Sequence, residues 1–357
     1  MVEHPDVELA ALFAPEHGLD GTAAAGENLG DQIDAATGLP VFSLYGVDRS
    51  PSDGTLERVD VLVYDLQDVG ARFFTYTSTL GLSMQAAADA GIPFVVLDRP
   101  NPLGGSLVQG PALQEGTESF IGLYPIPSAY GLTSAELALL IKERQLLPGL
   151  EDLNLQVVEM QGWRRDQLWA NTGLEWIAPS PNLPAADAAL LYPGTVLFEA
   201  TTISEGRGTD EPFQLIGAPW IDADALAASM NALGLSGVRF EPATFTPRSL
   251  PEAAPNPRYL GQELHGVRIV VVDGSAVRGL DVGLYLLDAI FAQRVAEVGD
   301  INPIDIIDRP GVFDRLAGRS IVRVEFLAGV PISDIVASFE PDHQAFEDLV
   351  GDLLLYE

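Results

Sequence analysis

Three short runs of almost unbroken apolar residues, at 7–13, 59–64 and 93–97, constrain this chain more than any other feature. A strand with one wet face alternates polar and apolar side chains. A strand lacking that alternation must be covered on both faces, the condition met in a parallel sheet sandwiched by helices. The intervals supply the helices. Residues 80–90 are alanine-rich and stop at Gly91, a residue suited to the left-handed position after a helix. Thr133-Ser-Ala-Glu136 has the spacing of a capping box, which predicts a helix running to about residue 147. Strands are expected at 155–160 and 195–200, separated by the proline-rich loop Pro179-Ser-Pro-Asn-Leu-Pro184. Strand and helix in alternation predict an α/β fold with an open, doubly wound, mostly parallel sheet.

After Pro219 the character changes. A helix at 222–233, a strand at 238–245, a proline-studded stretch to 257, a strand at 267–272 and an apolar helix at 279–296 are expected. A strand at 321–326 and two helical stretches follow. This pattern reads as a second, smaller α+β domain, so the boundaries are 1–218 and 219–357; a chain of 357 residues exceeds what one hydrophobic core usually serves.

Charge and composition remove whole classes of function. The net charge is −32, from 51 acidic and 19 basic residues, and no basic stripe offsets it. Such a field repels nucleic acid and anionic membranes. Lys142 is the only lysine, which fits either a GC-rich genome or a saline habitat. There is no cysteine, so disulfides, thiolate nucleophiles and Cys-ligated metals are excluded. The four histidines show no helical pairing, and no metal is expected. No apolar run is long enough to span a bilayer, and no signal-peptide pattern is visible. No cofactor is expected either. Ser204-Glu-Gly-Arg-Gly-Thr209 lacks the ending of a phosphate loop, and no dinucleotide fingerprint follows the first strand.

Polar residues collect where the predicted strands end. Glu16 and His17 follow the first strand, and Asp65, Gln67 and Asp68 follow the second. Asp98, Arg99 and Asn101 follow the third, while Glu199, Glu205 and Arg207 follow the strand expected near 195. In an open parallel sheet, ligands bind in the crevice beyond the carboxyl ends of the strands. A single aspartate there is often only a turn or helix cap, but four strand ends together point to a shared site. Glu136 is accounted for by its capping box. Carboxylates, arginines and aromatics without metal, thiol or phosphate loop suit glycoside hydrolysis, which needs one carboxylic acid at the leaving oxygen and a second group across the sugar. Tyr45, Tyr64, Phe74, Tyr76, Trp176 and Tyr192 lie near these loops, as core or as platforms for sugar faces.

Several runs resemble the NamZ-type exo-β-N-acetylmuramidases, a family of peptidoglycan-degrading glycoside hydrolases. They are Phe13-Ala-Pro-Glu-His-Gly18, Tyr64-Asp-Leu-Gln-Asp-Val-Gly-Ala-Arg72 with Tyr76, and Leu97-Asp-Arg-Pro-Asn-Pro102. Pro179-Ser-Pro-Asn182, Tyr192-Pro-Gly194 and the stretch from Glu199 to Thr209 with Pro212-Phe213 complete the set. The resemblance implies a Rossmann-like domain, a smaller domain closing the cleft, and release of N-acetylmuramic acid from the non-reducing end of a peptidoglycan-derived saccharide or muropeptide. It leaves secreted, periplasmic and cytoplasmic locations open.

By that resemblance Glu16 is the expected acid, with His17 orienting it or contacting the sugar, and Asp65, Asp68 or Glu205 as the second carboxylate. Expected substrate contacts are Gln67, Arg72, Tyr76, Asp98, Arg99, Asn101, Tyr130, Asn182, Glu199, Arg207 and Thr209. The arginines would hold the lactyl carboxylate of the sugar. Two departures are noted. Only a few residues precede the Pro-Glu-His-Gly strand, where family members usually carry another strand and loop. Tyr130 stands where a histidine is common. Both features favour an alternative, a non-catalytic muropeptide-binding protein. A nucleotide-dependent oxidoreductase or transferase rests on fold analogy alone.

Overall fold

The computed structural model describes residues 4–299 and 305–357. Strand β1 (Leu12–Ala14) pairs in parallel with β3 (Pro40–Ser43), and the short β2 (Gln32–Ile33) lies antiparallel on the far edge of β3. After a single helical turn, α1 (Asp53–Leu56), comes β4 (Leu62–Tyr64), then α2 (Tyr76–Ala90) and β5 (Phe94–Leu97). A small ladder of β6 (Val108–Gln109) and β7 (Ala129–Tyr130) precedes α3 (Ser134–Glu143) and β8 (Leu155–Val158). Strands β4, β5 and β8 form a parallel sheet in that order, with α2 and α3 as its crossover helices. The alternation of strand and helix therefore produces a mixed α/β fold with a parallel sheet, as its periodicity predicts. The strands themselves are shorter than the apolar runs that announce them.

Local signals are realised in detail. Gly91 caps α2 with φ 68°, and Thr133 and Glu136 exchange the two hydrogen bonds of the capping box at 3.2 and 3.0 Å. The helix that follows closes at Glu143, four residues before the expected end near 147.

After the short α4 (Trp169–Thr172), α5 (Ala186–Thr195) continues into a 3-10 turn at Val196–Ala200. The strand expected at 195–200 is thus helical. The run from Ala188 to Ala200 is buried on nearly every side, and an apolar run without polar punctuation cannot reveal its own period. Next come β9 (Leu215–Ala218), α6 (Ala223–Ala232), β10 (Val238–Phe245), β11 (Leu264–Val271) and α7 (Gly279–Val298). Strands β10, β11 and β9 form an antiparallel sheet backed by α6, so residues 215–218 pair with the C-terminal half.

Four helices finish the described chain: α8 (Pro310–Ala317), α9 (Ser320–Leu327), α10 (Ile332–Ala337) and α11 (Glu340–Val350). The strand expected at 321–326 is α9. Its β-branched residues imitate a strand, but the buried pair Val322 and Phe326 has helical spacing, and packing overrides the propensity. Two cores result. One gathers α5, α7, the antiparallel sheet and α8–α10; the other gathers the parallel sheet, α2 and α3, and takes Phe346 and Val350 from α11. Among the described residues no helix is long and apolar enough to cross a membrane.

Helices α5 and α7 meet backbone to backbone. A Cβ placed on Gly283 would overlap the backbone of Gly194, and one on Gly279 would overlap the carbonyl of Leu190. No rotamer change relieves a clash with main chain. Gly283→Ala should therefore cost about 1–3 kcal/mol, the usual range for overpacking. The expected signature is a lower urea midpoint at unchanged slope; an unmoved midpoint would contradict the crossing.

Candidate active site

The turn after β1 presents two polar side chains side by side. Pro15 starts it, and the Gly18 amide closes it on the Pro15 carbonyl at 3.1 Å. His17 adopts φ 75°, a left-handed conformation uncommon for a side chain of its size and worth roughly 1–3 kcal/mol of strain. Two contacts with one residue hold it there: the Ala23 amide donates to the His17 carbonyl at 3.0 Å, and Nδ1 lies 2.8 Å from the Ala23 oxygen. A carbonyl only accepts, so Nδ1 carries the proton in this contact. Burial pushes the imidazole below its ordinary value, although the neighbouring Glu16 works the other way. The neutral ring thus keeps Nε2 as a free acceptor.

Glu16 is buried and held at both oxygens. Oε1 accepts from the Gly26 amide at 2.9 Å, and Oε2 accepts from Thr75 Oγ1 at 2.8 Å, where Thr75 caps α2. Its backbone carbonyl lies 3.0 Å from the Tyr76 hydroxyl, which is equally close to the Pro179 carbonyl and so ties the turn to the proline-rich loop. Tyr45 faces the same carboxylate. Burial, and then the charge of Glu16, push its phenol up to about 12, so it remains a hydrogen-bond donor at neutral pH.

These groups open onto a cavity of about 700 Å³, in the size range of small-ligand sites. Its opposite wall comes from the 3-10 turn after α5 and the loop that follows. There Arg207 pairs with Glu199 at 2.6 Å and with Glu205 at 3.3 Å, and stacks 5.1 Å over Phe213. Burial pushes Glu205 above the ordinary carboxylate range, partly offset by Arg207. Helix α8 closes a further side with Val312, Arg315 and Leu316. Among the described residues no group of three or more histidine or acidic side chains gathers as a metal site requires.

Of the residues singled out from sequence, Glu16, His17, Glu199 and Arg207 line this cavity. Glu205 stands behind Arg207, and Tyr76 stands behind Glu16. The others lie elsewhere. Asp65 and Arg99 form a half-exposed ion pair at 2.7 Å. Gln67 braces the carbonyls of Asp68 and Pro100, and Asn101 bonds the Leu132 carbonyl and the Leu103 amide. Asp98 accepts from Tyr356 at 2.5 Å and from the first turn of α3. Asn182 donates to the Ala253 carbonyl, and Thr209 closes its own turn on Gly206. Arg72 is fully buried and donates to the carbonyls of Arg315 and Leu316. Tyr130, also fully buried, donates to Asp68 in the core, so its exchange for histidine does not alter the cavity wall.

The common reason is architectural. Not all carboxyl ends face one crevice: those of β4 and β5 are covered by the β6–β7 ladder, where Tyr130 meets Asp68, and by the C-terminal segment, where Tyr356 meets Asp98. Of the aromatics, Tyr45, Phe74 and Tyr192 reach the cavity, whereas Tyr64 is core and Trp176 bonds the Leu183 carbonyl. Sequence reasoning passes over Asn28, Arg49, Thr75, Ser180 and Arg315, all on the wall. Ser180 lies inside the run Pro179–Asn182 and Thr75 directly precedes Tyr76, whereas Arg49 and Arg315 come from segments with no motif.

Comparison with known proteins is consistent along the whole chain. Residues 1–187 match the family model described as exo-β-N-acetylmuramidase NamZ, N-terminal, and residues 190–356 match its C-terminal counterpart. A Bacillus subtilis (strain 168) protein named peptidoglycan β-N-acetylmuramidase NamZ is 41% identical over 357 residues, covering 100% of this chain and 82% of that protein. Crystal structures of two DUF1343 family proteins from Bacteroides fragilis are also similar. One superposes with a TM-score of 0.86 at 36% identity, over 99% of this chain and 88% of its own. The other gives 0.77 at 33%, over 98% and 86%.

Asp68 offers a test of the core beside the cavity. Burial is the largest influence on it and pushes its carboxyl up to about 6, against the bonds from Tyr130 and Gly70. The unfolded value is near 3.9. Between these limits the folded state binds the proton more tightly, so this group's contribution is present below about pH 4 and is lost as pH rises through 6. Urea titrations at pH 4.5 and 7 should show the wild type losing about 2 kcal/mol relative to Asp68→Asn. Parallel pH dependence in the two proteins would refute this.

Proposed function

The chain belongs to the NamZ family of exo-β-N-acetylmuramidases, and from that premise we propose that it removes N-acetylmuramic acid from the non-reducing end of peptidoglycan-derived saccharides. The observation that carries this reading is the Glu16 carboxyl, buried, fixed at both oxygens and open to a cavity of about 700 Å³. A general acid must be aimed before the substrate arrives, and the Gly26 amide and Thr75 hydroxyl do that aiming.

In the proposed reaction Glu16 gives its proton to the glycosidic oxygen as the bond from that oxygen to C1 breaks. Water then adds its hydroxyl to C1 and returns a proton to the carboxylate. Glu199, which faces the same cavity with Arg207 beside it, is the second carboxylate of choice in place of Asp65, Asp68 or Glu205. His17, neutral and with Nδ1 committed to Ala23, offers Nε2 to a sugar hydroxyl. Tyr45 offers a phenol proton to the same region.

The parallel pairs β1–β3 and β4–β5–β8 are read as parts of one Rossmann-like, doubly wound arrangement, supported in β4–β5–β8 by the crossover helices α2 and α3. The line between the catalytic part and the part that closes the cleft is drawn near 187–190 instead of 218–219. Helix α5 and β9 pack with the C-terminal elements, and the two family models meet there.

Incubation with a chromogenic β-N-acetylmuramic acid glycoside tests the reading. The wild type should release the chromophore, and Glu16→Gln should lower kcat about 100-fold or more with a near-normal melting temperature. Glutamine keeps the acceptor for the Gly26 amide, so the fold is not put at risk. Absence of turnover by the wild type would remove the activity, and an unimpaired variant would remove Glu16 from the chemistry.

A further inference from the structure

An enzyme carrying a net charge of −32 faces a difficulty with an anionic sugar: its own field repels the ligand. Local cations must answer this, and most of the 19 lysines and arginines are already occupied by carboxylates. Arg207, the cation deepest in the cavity, has both Glu199 and Glu205 against it and so cannot present a net positive charge. Among the described residues the arginines without a carboxylate at ion-pair distance are Arg49, Arg58, Arg72 and Arg315. Arg58 is away from the cavity, and Arg72 is sealed in the core with its two terminal nitrogens on carbonyls. Arg49 and Arg315 both line the cavity, and both are exposed.

Their supports are built. The Arg49 guanidinium lies 4.7 Å over the Phe120 ring, a cation–π contact that orients it without neutralising it. Phe120 belongs to the tight turn Ser119–Gly122, closed by reciprocal backbone bonds of 2.8 and 2.9 Å. At the other end of that turn a Cβ on Gly122 would stand 2.8 Å from Arg72, whose guanidinium binds the Arg315 carbonyl at 3.3 Å. One turn therefore links the platform beneath Arg49 to the anchor that fixes the backbone of Arg315.

We propose that Arg49 and Arg315 together hold the carboxylate of the lactyl ether that distinguishes N-acetylmuramic acid from N-acetylglucosamine, and so set selectivity for a free lactyl acid over a lactyl amide. The inference rests on the function proposed above. It replaces Arg72, Arg99 and Arg207 in that role, since the first is buried, the second is paired away from the cavity and the third is neutralised. Two guanidiniums left unpaired in so acidic a protein are held ready for an anion supplied from outside.

The test separates this inference from the hydrolase reading. Free N-acetylmuramic acid and its lactyl amide are titrated calorimetrically into wild type, Arg49→Gln, Arg315→Gln and the double variant, with turnover of the chromogenic glycoside measured in parallel. The wild type should bind the acid about tenfold or more tightly than the amide. Each single variant should lose part of that preference and the double variant all of it, with amide binding little changed and melting temperatures retained. Turnover with no preference for the acid overturns the inference and leaves the hydrolase standing. A preference that survives in the double variant, or equal losses on acid and amide, overturns it too. A preference that disappears in the double variant of a protein without turnover supports the carboxylate site and removes the hydrolase.

Discussion

The cavity depends on a buried charge that has no counter-ion among the described residues. Arg72 is fully enclosed, burial pushes its guanidinium down to about 10, and it remains charged at neutral pH. Its known partners are the carbonyls of Arg315 and Leu316 in the last turn of α8, the negative end of that helix. Isolated buried cations are costly, and this one is tolerated because oriented backbone dipoles replace the missing anion. The arrangement leaves little freedom. Side chains on Gly122 or Gly318 would intrude on the guanidinium, so both flanking positions stay bare. The wall bearing Val312 and Arg315 is thereby locked to the turn that follows β4.

Much of the fold was legible in the sequence where local physics acts alone. The capping box at Thr133 and the left-handed stop at Gly91 are short-range bargains between neighbours, and both are realised. The two failures, at 195–200 and 321–326, share a cause. Both are apolar stretches whose period is hidden by near-complete burial or by β-branched residues, and only tertiary packing decides between strand and helix. At the site, Glu16 and His17 were legible because they directly follow the first predicted strand, inside a run that resembles a family motif. Arg49 and Arg315 were not, because what qualifies them is the absence of a partner, which no stretch of sequence records.

The distribution of charge also explains why a conspicuous acidic composition says little about the site. Surface carboxylates outnumber cations, yet at the cavity Arg49 and Arg315 add two exposed guanidiniums without a carboxylate at ion-pair distance to the Arg207 that stands against Glu199 and Glu205. Long-range repulsion is screened within about a Debye length in physiological salt, whereas contacts at the rim are not. The global field sets solubility; the local one sets what enters.

The return of α11 to the parallel sheet carries a consequence for how the molecule is made. Phe346 and Val350 complete a core whose other members, such as Leu80, Phe94 and Leu140, emerge from the ribosome more than 200 residues earlier. Until they arrive, that core has an open seam. The first part therefore cannot complete its own core until α11 has been synthesised. The segment made last is the one that fills the seam left in the core made first.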